Sequence, residues 1–227
     1  MGNRGFFGFS TGYQEQQSYY LVSGMELWLA ADTLSGYTDG QAVATWPDLS
    51  GNGRDAVQAS ATLQPLYRPS VTVFPVLQFD NSNDARVSGC GIATQPYTIL
   101  AVYASIQATS YNGRAVQGSN NWLLGPRATY HQGYNGALIQ GPAVAANTFV
   151  CSAFTGDAAG GAFYVNGIYI GSNTNTGAPG TIGLGRGGSA SEGLNGYLAE
   201  VITYSRVLGL DERVAMEGYL MAKWSVS

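Results

Sequence analysis

One histidine, two cysteines and a thin supply of carboxylates limit the chemistry this chain can perform. Of 227 residues only 11 % are charged, Asp and Glu contributing 14 and Lys and Arg 10, and His131 is the sole imidazole. Acid–base catalysis and transition-metal binding draw on those side chains, so both are poorly supplied. The densest set of recognition-type side chains is Asn120, Asn121, Trp122, Arg127, Tyr130, His131, Tyr134 and Asn135, in the middle third. Aromatic faces beside amides suit the stacking and hydroxyl hydrogen bonding of a sugar ring, and this cluster is the candidate ligand site. The plainer reading places Trp122 in the core of a strand and His131 among ordinary surface polar residues.

Other patterns are tested by their context. Glycoside hydrolysis needs two carboxyl groups across a cleft. Glu200 is the only acid in the strand-like run Leu198–Thr203, and it reads as a structural carboxylate satisfied by hydrogen bonds. Gly8-Phe-Ser10-Thr-Gly12 matches a nucleophile elbow, but no strand precedes it and no helix follows. Gly183-Leu-Gly185-Arg-Gly-Gly188 matches a dinucleotide fingerprint, yet Ser, Ala and Gly stand where its helix should begin. Asp80-Asn-Ser-Asn-Asp84 offers oxygen ligands to calcium, but Ala85 and Gly91 fall where an EF-hand needs glycine and glutamate. The expectation is a polar turn with no required metal and no cofactor, Asp80 and Asp84 being the residues calcium would use. Cys90 and Cys151 are too far apart for a zinc knuckle, and each sits among apolar neighbours as a buried thiol would.

The net charge is −4, Lys223 is the only lysine, and no basic cluster appears, which argues against nucleic-acid binding. No apolar run approaches the roughly 18 residues that span a bilayer, so membrane insertion as a helix is not expected. The N-terminus lacks the apolar stretch of a secretory signal, and Phe6 stands where a myristoylation motif wants Ser or Thr. The expected location is the cytoplasm of synthesis or, from there, a larger particle.

The elements that must hold the candidate cluster read as all-β. Residues 1–23 form an extended arm in which Phe6, Phe7, Phe9, Tyr13, Tyr19 and Tyr20 alternate with Gly, Ser and Gln without sustained periodicity, and it is expected to dock on a partner. Residues 24–227 form the domain. Ten strands are predicted, over 26–30, 43–46, 76–79, 97–105, 122–124, 148–155, 162–165, 168–170, 181–184 and 196–204. Asn166-Gly167 between two β-branched and aromatic runs marks a hairpin with a type I′ turn. Residues 211–224 read as a helix with acids first and Lys223 last, its Leu210, Val214, Met221 and Met216, Leu220, Trp224 stripes facing the sheets.

Leu27-Trp-Leu-Ala-Ala-Asp32, Val43-Ala-Thr-Trp-Pro-Asp-Leu-Ser-Gly-Asn-Gly53, Val76-Leu-Gln-Phe-Asp80 and Tyr97-Thr-Ile-Leu-Ala-Val-Tyr103 follow one another in a distinctive order. Phe163-Tyr-Val-Asn-Gly167, Ile182-Gly-Leu-Gly185, Leu194-Asn-Gly-Tyr-Leu-Ala-Glu-Val-Ile-Thr-Tyr204 and Glu217-Gly-Tyr-Leu-Met-Ala-Lys-Trp224 complete it. The series resembles a laminin-G-like, concanavalin-A-like jelly-roll domain over roughly residues 24 to 226. The resemblance implies a two-sheet antiparallel sandwich with one C-terminal helix, Trp46 anchored in the core, and Asp48, Ser50 and two glycines shaping a tight corner. Hydrolases of the fold typically carry a Glu-x-Asp-x-x-Glu strand, which this chain lacks. Similar domains occur as adhesion modules and as phage virion components. The function this implies is a non-catalytic structural or adhesion protein of a phage virion, in its tail, fibre or capsid decoration. Its partners would be copies of itself, other virion proteins and a surface glycan. The alternatives are a free lectin-like module and, third, a polysaccharide hydrolase or lyase.

Overall fold

The computed structural model describes residues 23–81, 85–92, 94–108, 111–186 and 192–227, with residues 85–92 and 111–112 described through their backbone alone. The arm residues Phe6, Phe7, Phe9, Tyr13, Tyr19 and Tyr20 lie outside the described residues, as do the Gly8–Gly12 match and Asp84. In chain order the first strands are β1 (Met25–Ala30), β2 (Thr45–Trp46), β3 (Ala56–Val57), β4 (Leu66–Arg68), β5 (Val76–Asp80) and β6 (Ala85–Ile92). Then come β7 (Tyr97–Ser105), β8 (Tyr111–Asn112), β9 (Val116–Gly118), β10 (Trp122–Ala128), β11 (Tyr130–Tyr134) and β12 (Leu138–Ala143). The last are β13 (Phe149–Asp157), β14 (Gly160–Val165), β15 (Ile168–Asn173), β16 (Gly180–Leu184) and β17 (Asn195–Tyr204), followed by one α-helix, α1 (Leu210–Trp224).

They build two antiparallel sheets. The eight-stranded sheet runs β15-β14-β13-β7-β17-β5-β4, with β1 also paired to β17. The nine-stranded sheet runs β12-β11-β10-β9-β16-β6-β3-β2, with β8 added beside β10. Trp46, Phe79, Tyr97, Tyr103, Trp122, Phe154 and Phe163 are all buried in the layer between the sheets. This is the jelly-roll sandwich that the strand pattern and the ordered motifs predict.

Where residues predict a local shape, the shape is present. Asn166 and Gly167 have φ of 50° and 77°, the left-handed pair that a type I′ turn requires. In the Trp46–Gly53 corner, Asp48 Oδ1 accepts from the Trp28 and Ser50 backbone N–H groups, and its Oδ2 accepts from Ser50 Oγ and Arg54 N. Burial alone would raise the Asp48 pKa; these donors outweigh it and hold the carboxyl below its usual range.

The helix departs from expectation on one face. Met216, Leu220 and Trp224 pack on the outer side of the eight-stranded sheet with Trp28, Val102, Cys151 and Ile202. Leu210 and Val214, expected to face the same way, are 70 % and 51 % exposed. The buried face instead takes charged residues that carry their partners with them. Arg213 pairs with Glu217 while its guanidinium carbon lies 3.7 Å from the Tyr164 ring centroid, and Lys223 Nζ reaches Glu200 Oε2 at 2.8 Å and Asp32 Oδ1 at 2.9 Å. The stripe of Met216, Leu220 and Trp224 faces the sheet as expected, and the reading fails for Leu210 and Val214 because paired charges, not only hydrocarbon, can occupy an inward face.

Candidate functional site

The candidate cluster is divided by strand alternation. Successive side chains of a strand point to opposite faces, so β10 and β11 send every second residue into the core and every other one outward. Trp122 and Leu124 face inward in the core, and Gly133, paired with Leu124, is closed against Phe154. His131 faces inward too, its Nδ1 3.1 Å from the Tyr103 hydroxyl, which lies 3.1 Å from Ser152 Oγ. Trp122 and His131 are therefore corrected as ligand contacts: they are 1 % and 2 % exposed, and the Trp122 indole N–H is already donated to the Tyr97 hydroxyl at 2.9 Å. Burial pushes the His131 imidazole down to about 4. The line of Ser152, Tyr103 and His131 is interior cross-bracing between sheets, with no room for a substrate.

Asn120 and Asn121 form the β9–β10 turn. Asn121, at φ 58°, accepts from Arg114 through Oδ1 at 2.9 Å, and Asn120 Nδ2 donates to the Ala178 carbonyl at 3.2 Å. Asn135 is buried at the far end of β11, where it accepts from Asn173 Nδ2 and donates to the Asn175 carbonyl. These amides hold loops.

What remains on the outer face is Arg127, Tyr130 and Tyr134, and the register brings further residues to them. Tyr134 stands between Leu123 and Leu138, Gln132 between Gly125 and Gln140, and Tyr130 between Arg127 and Ala143. Leu123 is followed across the sheet by Gln117 and then Gly183, whose missing Cβ would lie 2.6 Å from Gln117 Nε2. The result is a strip with two tyrosines on one strand, roughly 13 Å apart at about 3.3 Å per residue, separated by Gln132. Tyr130 and Tyr134 are partly exposed, whereas Gln132 is 3 % exposed and its Oε1 has no hydrogen-bond partner. Gln132, Gln140 and Gln117 escaped the sequence reading because their strands are polar and glycine-rich. The signal was the period of two in Tyr130-x-Gln132-x-Tyr134.

Chemically the strip can stack rings and exchange hydrogen bonds, but it does not supply a carboxylate pair. None of the nine strands of this sheet contains an Asp or Glu. Glu200, on the other sheet, accepts from Trp28 Nε1 and Trp224 Nε1 at 2.7 Å each and from Lys223 at 2.8 Å, the structural role its sequence context predicts. Asp80 ends β5 opposite Asn195, and no cluster of metal-binding side chains occurs among the described residues. A separate groove of about 320 Å³ at the ends of β13, β14 and β15 is lined by Thr155, Asp157, Ser172, Asn173 and Thr174 among others, without an aromatic ring among its lining residues.

The profile of the concanavalin A-like lectin/glucanases superfamily matches residues 79–212. No curated protein sequence matches the chain. Among solved structures, domain 4 of AbnA, an extracellular GH43 arabinanase from Geobacillus stearothermophilus in complex with arabinotriose, superposes with a TM-score of 0.60 at 15 % identity, over 85 % of this chain and 97 % of that domain. The binding domain of Paraclostridial Mosquitocidal Protein 1 gives 0.61 at 14 % identity, over 88 % of this chain and 53 % of that one. Trypanosoma rangeli sialidase in complex with sialic acid gives 0.56 at 15 % identity over 95 % of this chain, which spans only 38 % of the sialidase. At these identities the likeness is one of fold.

Proposed function

From the premise that the chain belongs to the concanavalin A-like lectin/glucanases superfamily, we propose that it is a non-catalytic carbohydrate-recognition domain that binds glycan on the outer face of β10–β12. The observation that carries this reading is the Tyr130–Gln132–Tyr134 strip, ring, amide and ring on one face of one strand, in a sheet whose strands hold no carboxylate. Two of the fold's neighbours support a recognition role: one is a domain seen with arabinotriose, the other a toxin's binding domain. Hydrolysis has less support, because the acid pair it needs is missing from the strip. The test is a glycan array probed with the full chain beside Tyr130→Ala/Tyr134→Ala. Retention on defined glycans, lost in the double variant while its melting midpoint holds, supports the reading. An array without signal defeats it.

A second reading places such a domain in an assembly, as a phage tail, fibre or capsid-decorating component built with copies of itself. One observation favours it: the outward face of α1 presents Leu210, Val214, Ala215, Gly218 and Ala222, an apolar surface on a chain that also carries six aromatic residues before residue 21. Light scattering of the full chain and of a chain beginning at Gly24 tests it. Oligomers formed only by the full chain are expected, and two equal monomers would remove self-assembly.

A further inference from the structure

The positive charges of the described residues are almost all accounted for. Arg54 pairs with Glu26, Arg68 with Asp39, Arg114 with Glu192, Arg206 with Glu212, Arg213 with Glu217, and Lys223 with Glu200 and Asp32. Arg186 also has a partner. Arg127 alone among the described side chains of this class makes neither an ion pair nor a hydrogen bond, and its Nε is buried without an acceptor. It belongs to the outward strip, directly opposite Tyr130, in a sheet whose nine strands contain no acid to answer it.

A guanidinium is costly to leave unanswered when its Nε is withdrawn from water, and its fork of donors matches a carboxylate or sulfate oxygen pair. The neighbouring deficit has the opposite sense. Gln132, diagonal to Arg127 across the β10–β11 ladder, is nine-tenths buried with an acceptor oxygen that nothing donates to. That buried oxygen lies beneath the surface, so a ligand meets the strip at the half-buried Arg127 guanidinium and the exposed Tyr130, with an anion for the one and a ring face for the other.

We infer that the outer strip of β10–β12 selects acidic sugars, with a carboxylate or sulfate on the terminal nitrogens of Arg127 and the sugar ring against Tyr130. This rests on the carbohydrate-recognition reading above and adds the charge of its ligand.

The experiment uses the full chain on an array of paired glycans that differ only in charge: uronate oligosaccharides beside their methyl esters, sialylated lactose beside lactose, and sulfated lactose beside lactose. At least tenfold stronger retention of the acidic partner is expected, weakening as sodium chloride is raised. The uronate and sialyl pairs report a carboxylate, and the sulfated pair reports a sulfate. Arg127→Gln should erase the difference, weakening retention of the acidic partner by at least tenfold more than that of the uncharged one, and Arg127→Lys should restore part of it. Equal binding of charged and uncharged partners overturns the inference and leaves glycan recognition standing. A preference that survives Arg127→Gln overturns the assignment to Arg127. No binding to either member of any pair overturns both the inference and the reading beneath it. The wild-type comparison decides the charge preference even if a variant does not fold.

Discussion

Trp224 donates its indole N–H to Glu200 Oε2 at 2.7 Å, joining the last turn of α1 to the middle of the eight-stranded sheet. Lys223, the preceding residue, reaches the same oxygen, and Trp28 donates to the other. Burial alone would lower the Lys223 pKa; Glu200, Tyr219 and Asp32 together outweigh it and hold the ammonium above its usual range. Glu200→Ala leaves the buried Lys223 ammonium with Asp32 alone and strands two indole donors, so a loss of about 3–5 kcal/mol is expected from urea unfolding. Asp39→Ala, which breaks an exposed pair with Arg68, is the control and should change stability by less than about 1 kcal/mol.

Two buried groups predict opposing pH dependence. His131 has its pKa lowered by burial from 6.5 to about 4, so the native state resists the proton that the unfolded chain accepts. Its contribution is present above pH 6.5 and is lost as the pH falls through 4, about 3 kcal/mol in all. Glu217 is raised from 4.5 to about 6, burial prevailing over Arg213. Its contribution is complete below 4.5 and is lost as the pH rises through 6, about 2 kcal/mol. Thermal unfolding from pH 7 to 4 should show a net fall. It should flatten in His131→Asn and steepen in Glu217→Gln.

Glycines in this fold are not interchangeable. A Cβ on Gly133 would lie 2.5 Å from Phe154 Cδ2, so Gly133→Ala is expected to cost about 1–3 kcal/mol through overpacking. Gly218, within α1, meets nothing within 4 Å, and Gly218→Ala should stabilise by about 1 kcal/mol through helix propensity. Denaturant midpoints that move in the same direction would refute the pair.

Ala128 holds φ at 53° in the tight turn that sets Arg127 opposite Tyr130. A left-handed alanine costs roughly 1–2 kcal/mol, part of which glycine returns as unfolded-state entropy, so Ala128→Gly should raise stability by about 0.5–1 kcal/mol. Calorimetry of the variant would measure this, and a lower melting midpoint would refute it.

Strands rich in β-branched and aromatic residues, such as Tyr97–Ser105, were legible end to end, as was the Asn166-Gly167 hairpin. Among the described residues seventeen strands form where ten are predicted, and β3, β6, β8, β9, β11 and β12, six of the seven unpredicted ones, belong to the nine-stranded sheet. Its strands spend positions on glycine because large core rings come so close: Phe154 leaves no space for a side chain at Gly133, and Phe163 crowds Gly141. That substitution empties the hydrophobic alternation by which a strand is recognised. For the same reason the candidate cluster was legible as a list of residues but not as a face. Dividing Arg127, Tyr130 and Tyr134 from Trp122 and His131 requires knowing that both segments are strands.

The orientation of α1 has a practical consequence. Its outward positions carry almost none of the fold's packing, while its charged residues are fastened beneath it. Dyes, tethers or added lysines placed at Ala215 or Ala222 would thus attach to the molecule without loosening it. Ordinary practice would mutate Arg213, Glu217 and Lys223 as dispensable surface charges, and would in doing so unfasten the helix from the sheet.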